Sequence, residues 1–147
     1  MLIKIKNNIE EISRVCDEVQ EFCSRSGIPS NKYHDIVLIL DEVVTNIINY
    51  AYPNNDEHVF SLNIKKKADG YVYIKLVDNG IAFDPLAKED PDVESTIEER
   101  KIGGLGIFIV KQLSEQVIYS RIDDKNQLEI KVSIHNKEET NGSKNNN

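Results

Sequence analysis

Leu40-Asp41-Glu42-Val43-Val44-Thr45-Asn46 lies in the middle of a segment whose apolar residues recur at helical spacing. Ile36, Val37, Leu40, Val43, Val44, Ile47 and Ile48 form its apolar side. The pattern predicts a helix capped by Ser30 or Asn31 and running to about Tyr50. At about 100° per residue, Glu42, Asn46 and Asn49 fall within about 60° of one another on the other side. Taken alone, such a group is most simply the wet side of an amphipathic helix. Thr45, Asn46 and Asn49 are nevertheless mediocre helix formers in a helix that otherwise favours apolar residues. A carboxylate one turn from a carboxamide can divide a chemical task. The Asn supplies an oxygen to Mg²⁺, and the Glu accepts a proton from an attacking hydroxyl or water.

Upstream of this helix, residues 2–7 alternate apolar and polar and read as an edge strand. Asn7 or Asn8 can cap a helix beginning near Ile9, with Ile12, Val15, Cys16, Val19, Phe22 and Cys23 on its apolar face. Gly27 suits the stop, and Pro29 cannot continue the helix. Downstream, Ala51-Tyr52-Pro53-Asn54-Asn55 breaks the long helix. Strand patterns follow over about 58–67 and 71–78, joined by the turn signal Ala68-Asp69-Gly70. A third helix is expected from about Gly104 through Leu113, then strands near 116–122 and 127–135. From Asn136 the tail is polar and Asn-rich, and disorder is expected for 136–147.

Two further segments carry chemistry. Asp78-Asn79-Gly80 closes a strand, and Asn-Gly is ordinarily a hairpin turn. Here the return strand would be Ile81-Ala82-Phe83-Asp84-Pro85, which proline cuts short. An acceptor such as Asp78 could instead meet an adenine amine, with Gly80 letting backbone lie close to the base. Gly103-Gly104-Leu105-Gly106 opens a helix, where backbone N–H groups can wrap phosphates. The plain alternative is a flexible joint. Neither a Walker loop nor a dinucleotide fingerprint fits, because no Gly-Lys-Ser/Thr follows and no strand directly precedes. Between these segments residues 84–101 hold two prolines, many charges and little periodicity, a long loop for a compact domain.

Bulk composition narrows the classes. The 147 residues suit one domain with a real core, and 39% hydrophobic with 29% charged residues is ordinary for a globular protein. A net charge of −7 argues against non-specific nucleic-acid binding, which rests on Lys and Arg. Cys16 and Cys23 lie seven apart on one helix face and are expected to be reduced core residues. No apolar run reaches a membrane span, and the start lacks a signal-peptide core, so no membrane association and a cytoplasmic location are the default expectations. His34, His58 and His135 form no ligand set.

In this order and spacing, the Glu-x-x-x-Asn helix, the strand-end Asp-x-Gly, the long loop and Gly-Gly-Leu-Gly entering a helix resemble the ATP pocket of the GHKL superfamily of ATPases and kinases. The resemblance covers residues 1–135. It implies an α+β fold: a two-layer α/β sandwich whose mixed, mainly antiparallel sheet is covered on one face by about three helices. It also implies ATP and Mg²⁺ as cofactors. Asn46 would hold Mg²⁺, Asp78 with Gly80 the adenine, Gly103, Gly104, Leu105 and Gly106 the phosphates, and residues 84–101 the lid.

Within the superfamily, Leu40 to Asn46 and Gly103 to Val110 are most similar to the anti-sigma-factor serine kinases of bacterial partner switching. That likeness implies Glu42 as the catalytic base, and a STAS-domain antagonist carrying the acceptor Ser as partner. It implies also a sigma factor or other output protein, and a homodimer. Two departures stand out. Where those kinases often have His one turn after the Asn, this chain has Tyr50 with Asn49 beside it, closer to histidine-kinase usage and placing Asn49 among the nucleotide-binding candidates. Where they often carry a lid Arg just before the glycines, this chain has Arg100-Lys101-Ile102, so either Arg100 or Lys101 would meet the phosphates. The rival readings are an ATP-binding module that sequesters a partner without kinase activity, and a stand-alone histidine-kinase-like ATPase domain.

Overall fold

Alternation along the strands decides where the core sits. The computed structural model describes residues 1–54, 56–87 and 104–135, with the side chains of 104 and 105 excluded. Its elements are β1 (Leu2–Lys6), α1 (Glu11–Arg25), α2 (Ser30–Tyr50), β2 (Val59–Lys66), β3 (Tyr71–Asp78), α3 (Gly104–Leu113), β4 (Gln116–Ile122) and β5 (Lys125–Ser133). The strands form one sheet in the order β1-β2-β3-β5-β4, and all four pairings are antiparallel. Three helices cover one face, so the α+β sandwich expected from the sequence is what the chain forms. The expected tail, residues 136–147, lies outside the described residues, as does most of the expected lid, 88–101.

Every second strand residue points at the helices. Ile3 and Ile5, Phe60, Leu62 and Ile64, Val72, Ile74 and Leu76, and Leu128, Ile130 and Val132 are all buried. Ile64, Ile74 and Ile130 stand side by side in register across three strands. Onto them α1 brings Val15, Val19 and Cys23, and α2 brings Ile36, Ile39, Leu40, Val43 and Val44. Burial of such side chains stabilises by roughly 1.5–3 kcal/mol each before entropy is counted. Both cysteines are free; Cys23 is buried, which pushes its thiol up to about 11.

The connections follow from local chemistry. At the end of α1, Gly27 takes φ +65. The amides of Gly27 and Ile28 return to the carbonyls of Ser24 and Cys23, a Schellman stop. Regular helix in α1 begins two residues later than the pattern suggests. Asn8 Oδ1 accepts from the Glu10 amide at 3.0 Å, which holds residues 8–10 in a tighter turn first. At α2 neither Ser30 nor Asn31 is the cap. Pro29 takes that place with extended ψ 148, and its carbonyl accepts from the Tyr33 amide. The β2–β3 turn is where it was expected, with Gly70 at φ +85. β5 begins at Lys125 rather than 127, because Asp123 and Asp124 both adopt left-handed φ, 52 and 59, in a two-residue hairpin.

Candidate functional site

α2 crosses the sheet so that its polar side meets the ends of β3 and β5. A cleft opens there between α2 residues Val43, Asn46 and Ile47 and sheet residues Leu76, Asp78, Tyr119, Asn126 and Leu128, with Phe83 and Pro85 at its rim. Most of the wall is apolar. Its enclosed part is narrow, about 30 Å³, flanked by the Phe83 ring, which stacks on Tyr50 at 5.6 Å.

At the floor lies Asp78, a carboxylate only 5% exposed. Its Oδ1 accepts from the Gly80 amide and from Asn126 Nδ2, both at 2.9 Å. None of the described residues donates to Oδ2, so this buried carboxylate keeps one acceptor free for a ligand. Asn126 is equally buried and holds Asp78 in place. Nδ2 also donates to the Ile81 carbonyl at 2.7 Å, while Oδ1 accepts from Tyr119 at 2.5 Å and Arg121 at 3.0 Å. This network of Asn126, Tyr119 and Arg121 went unread in the sequence. Lys125-Asn126-Gln127 is wholly polar, and nothing in it marks the middle residue as inward-facing.

Gly80 owes its identity to the protein itself. A Cβ there would lie 2.7 Å from the Ala51 carbonyl carbon, and the neighbouring Ile81 amide donates to that carbonyl. The close approach is therefore to the end of α2. Nearby, the Tyr52 hydroxyl donates to Asn79 Oδ1 at 3.2 Å. Burial, then the Asp78 charge, pushes the Tyr52 phenol up to about 12.

Glu42 and the glycine segment meet through packing of α2 on α3. A Cβ on Gly106 would sit 3.0 Å from Glu42 Cδ and closer still to Oε2, so the carboxylate lies in the space that glycine leaves. Burial, then the neighbouring Asp41, raises the Glu42 carboxyl above its ordinary value. Asn46, one turn along, lines the cleft, and its carboxamide hydrogen-bonds to no described residue. Asn49 is exposed and outside the cleft wall, although the helical wheel groups it with Glu42. Gly104 and Leu105 form the first turn of α3. Arg100, Lys101 and Gly103 lie outside the described residues. Among the described residues no cluster of three or more His, Cys, Asp or Glu could hold a metal, and no helix is long and apolar enough to cross a membrane.

The chain is similar to known proteins over most of its length. The family model of the histidine kinase-like ATPase domain matches residues 5–132. The serine-protein kinase RsbW of Staphylococcus aureus is 27% identical over 120 residues, 78% of this chain and 75% of that protein. RsbW of Listeria monocytogenes is 26% identical over 98 residues, and there the chain spans 62% of its relative's length. Among solved structures, the RsbU and RsbW domains of Rv1364c from Mycobacterium tuberculosis share the fold with a TM-score of 0.67 at 14% identity, covering 90% of this chain and 32% of that one. The SiaB-SiaC complex from Pseudomonas aeruginosa gives 0.59 at 13%, covering 90% and 88%. With the family model matched over residues 5–132, this chain belongs to the histidine kinase-like ATPase domain family.

Proposed function

We propose that this chain is an ATP-dependent serine-protein kinase and partner-switching regulator of the anti-sigma-factor type, phosphorylating a STAS-domain antagonist on Ser. The observation that carries the reading is the position of Glu42. Its carboxylate lies against Gly106 at the start of α3, one helical turn from the cleft-lining Asn46. Relatives at 26–27% identity that are named serine-protein kinases support the activity class.

ATP would enter with its purine between the apolar walls of Val43, Ile47, Leu76 and Leu128. The open Oδ2 of Asp78 accepts from the exocyclic amine, an acceptor–donor match that guanine, with a carbonyl there, lacks. The first backbone amides of α3 point at the phosphates, and the helix N-terminus favours their charge. Glu42 takes the proton of the acceptor Ser hydroxyl as that oxygen bonds to the γ-phosphorus and the bond to the β-phosphate oxygen breaks, leaving ADP. A carboxyl raised by burial is better suited to take that proton than a solvated one. The free Asn46 carboxamide fits a hard cation, which takes oxygen ligands. Bound there with the phosphates, Mg²⁺ would supply charge compensation. Arg100 or Lys101 would add to it from the lid.

The phosphoserine carries a charge that disrupts the antagonist's own interface, so the kinase would be released to hold a second partner, a sigma factor or another output protein. Homodimerisation and a cytoplasmic setting belong to the same proposal. The test is incubation with Mg-ATP and each STAS-domain protein of the same genome, read by mass spectrometry. Phosphoserine on one of them supports the kinase. ATP binding without transfer to any moves the assignment to a sequestering module, and absence of ATP binding overturns both.

A further inference from the structure

The face of the sheet turned away from the helices has a composition unlike the rest of the molecule. Six outward strand positions are lysine (Lys4, Lys6, Lys65, Lys75, Lys125 and Lys131), against one carboxylate, Glu129. The chain as a whole carries −7, so the remainder is more acidic still. Ion pairing neutralises only part of this surface: Lys6 meets Glu57 at 3.1 Å and Lys75 meets Glu129 at 3.8 Å, all substantially solvent-exposed. Asp69 in the β2–β3 turn accepts from the Tyr73 hydroxyl at 2.6 Å and interacts with Lys131 and Lys67. The same face also displays Leu2, Val59, Ile118 and Ile122, each 43–61% exposed.

The centre of the face is shaped. A depression of about 380 Å³ is lined by Lys65, Tyr73, Lys75, Ile118, Glu129 and Lys131. Lys67 lies over the Tyr73 ring and Lys131 over the Tyr71 ring, each ammonium 4.1 Å from the centroid. These contacts hold the two cations over rigid supports. Asn63 also lines the depression, and its Oδ1 is buried without a partner, a cost that a covering N–H or O–H would remove.

We propose that this open sheet face is a docking surface for a second protein, one that presents a carboxylate-rich surface around an apolar centre. Charge complementarity selects that occupant. A second copy placed face to face would set six lysines against six. The chain's overall acidity repels nucleic acid, and the tyrosine rings that could stack bases are already covered by lysine ammonium groups. Because the cleft residues Asn46 and Asp78 lie on the helix side of the same sheet, the partner here leaves the nucleotide site open. The surface stands independently of the kinase assignment.

The test uses the full chain and two defined probes: a synthetic peptide alternating Glu and Leu, and its Lys-Leu counterpart. Binding is followed by amide shifts in two-dimensional NMR. The expected result is saturable binding of the Glu-Leu peptide alone, with shifts at Tyr73, Lys75, Ile118 and Lys131. It should weaken at least tenfold in Lys65→Glu/Lys75→Glu/Lys131→Glu and at 0.5 M salt, remain unchanged in Asp78→Asn, and weaken with Ile118→Ser. The lysine and Ile118 substitutions are at exposed or half-exposed positions, Asp78→Asn is isosteric at a buried one, and unfolding would show in the amide spectrum itself. Shifts confined to the cleft, equal binding of both peptides, tighter binding of a short DNA duplex, or a dimer in sedimentation that Ile118→Ser dissociates would each overturn the proposal.

Discussion

Glu42 occupies the space that a side chain at Gly106 would need: a Cβ there would come within 3.0 Å of the Glu42 Cδ and nearer to Oε2. The glycine is therefore required by the carboxylate across the α2–α3 interface, in addition to any part its backbone plays toward phosphate. Gly106→Ala should push the carboxylate aside while leaving the fold intact. A displacement on the order of 1 Å can cost about 100-fold in rate. Phosphoryl transfer should fall by about that factor while the circular dichroism spectrum stays that of the parent. An unchanged rate would mean that Glu42's position does not matter.

Asp78 offers one free oxygen at the floor of the cleft. Asp78→Asn replaces a charged acceptor by an amide that can present a donor. A hydrogen bond to a charged group contributes about 1.5–3 kcal/mol, so ATP should bind roughly 10–100-fold more weakly by calorimetry. Discrimination against GTP should narrow in the same variant.

Asn126, paired with Asp78 on the neighbouring strand β5, holds Asp78 and the Ile81 carbonyl. Asn126→Ala leaves the Asp78 carboxylate, the Ile81 carbonyl and the Tyr119 hydroxyl without that partner. Each orphaned buried group costs about 1–3 kcal/mol. Three such groups, at about 2–4 °C per kcal/mol, should lower the thermal unfolding midpoint by at least about 6 °C, and ATP affinity should fall with it. By contrast Ile74→Ala, at the middle of the core, should cost about 2–5 kcal/mol in denaturant unfolding and leave the ATP affinity of the folded protein near that of the parent.

The raised Glu42 carboxyl makes stability depend on pH. Its folded value lies above the ordinary 4.5, through burial first and Asp41 second. The folded state thus favours the protonated form. That contribution is fully present below the unfolded value and is lost as pH rises through the folded one. Glu42→Gln keeps a neutral side chain at every pH. It should therefore melt higher than the parent at neutral pH and equal it below about pH 4. Melting curves at the two pH values check this. A variant that is less stable at neutral pH would contradict the burial argument.

Much of this fold could be read from local pattern, and the exceptions have physical reasons. Alternation in β2 and β3, and the glycine stops at Gly27 and Gly70, are backbone-level signals and lie where the sequence puts them. The Asp123-Asp124 hairpin was hidden because both residues adopt left-handed φ without a glycine to announce it. Ile39 is fully buried yet falls outside the apolar stripe read from spacing, since α2 packs against α1, α3 and the sheet and buries a wider arc. At the site, Glu42, Asn46 and Asp78 stood out by residue type. That Glu42 touches Gly106, and that Asn126 buttresses Asp78, depends on elements distant in the chain and leaves no local trace. Asn49 shares a helical-wheel face with Glu42, and it is exposed and absent from the cleft lining.

The most direct test of the kinase assignment separates binding from chemistry in one variant. For Glu42→Gln, ATP affinity and phosphoryl transfer to the proposed STAS-domain acceptor should be measured side by side. General-base catalysis contributes about 10²–10⁴-fold. The expected result is ATP affinity within about threefold of the parent and transfer reduced by a factor in that range. Transfer at the parental rate, with affinity intact, would contradict the role of Glu42 as the base.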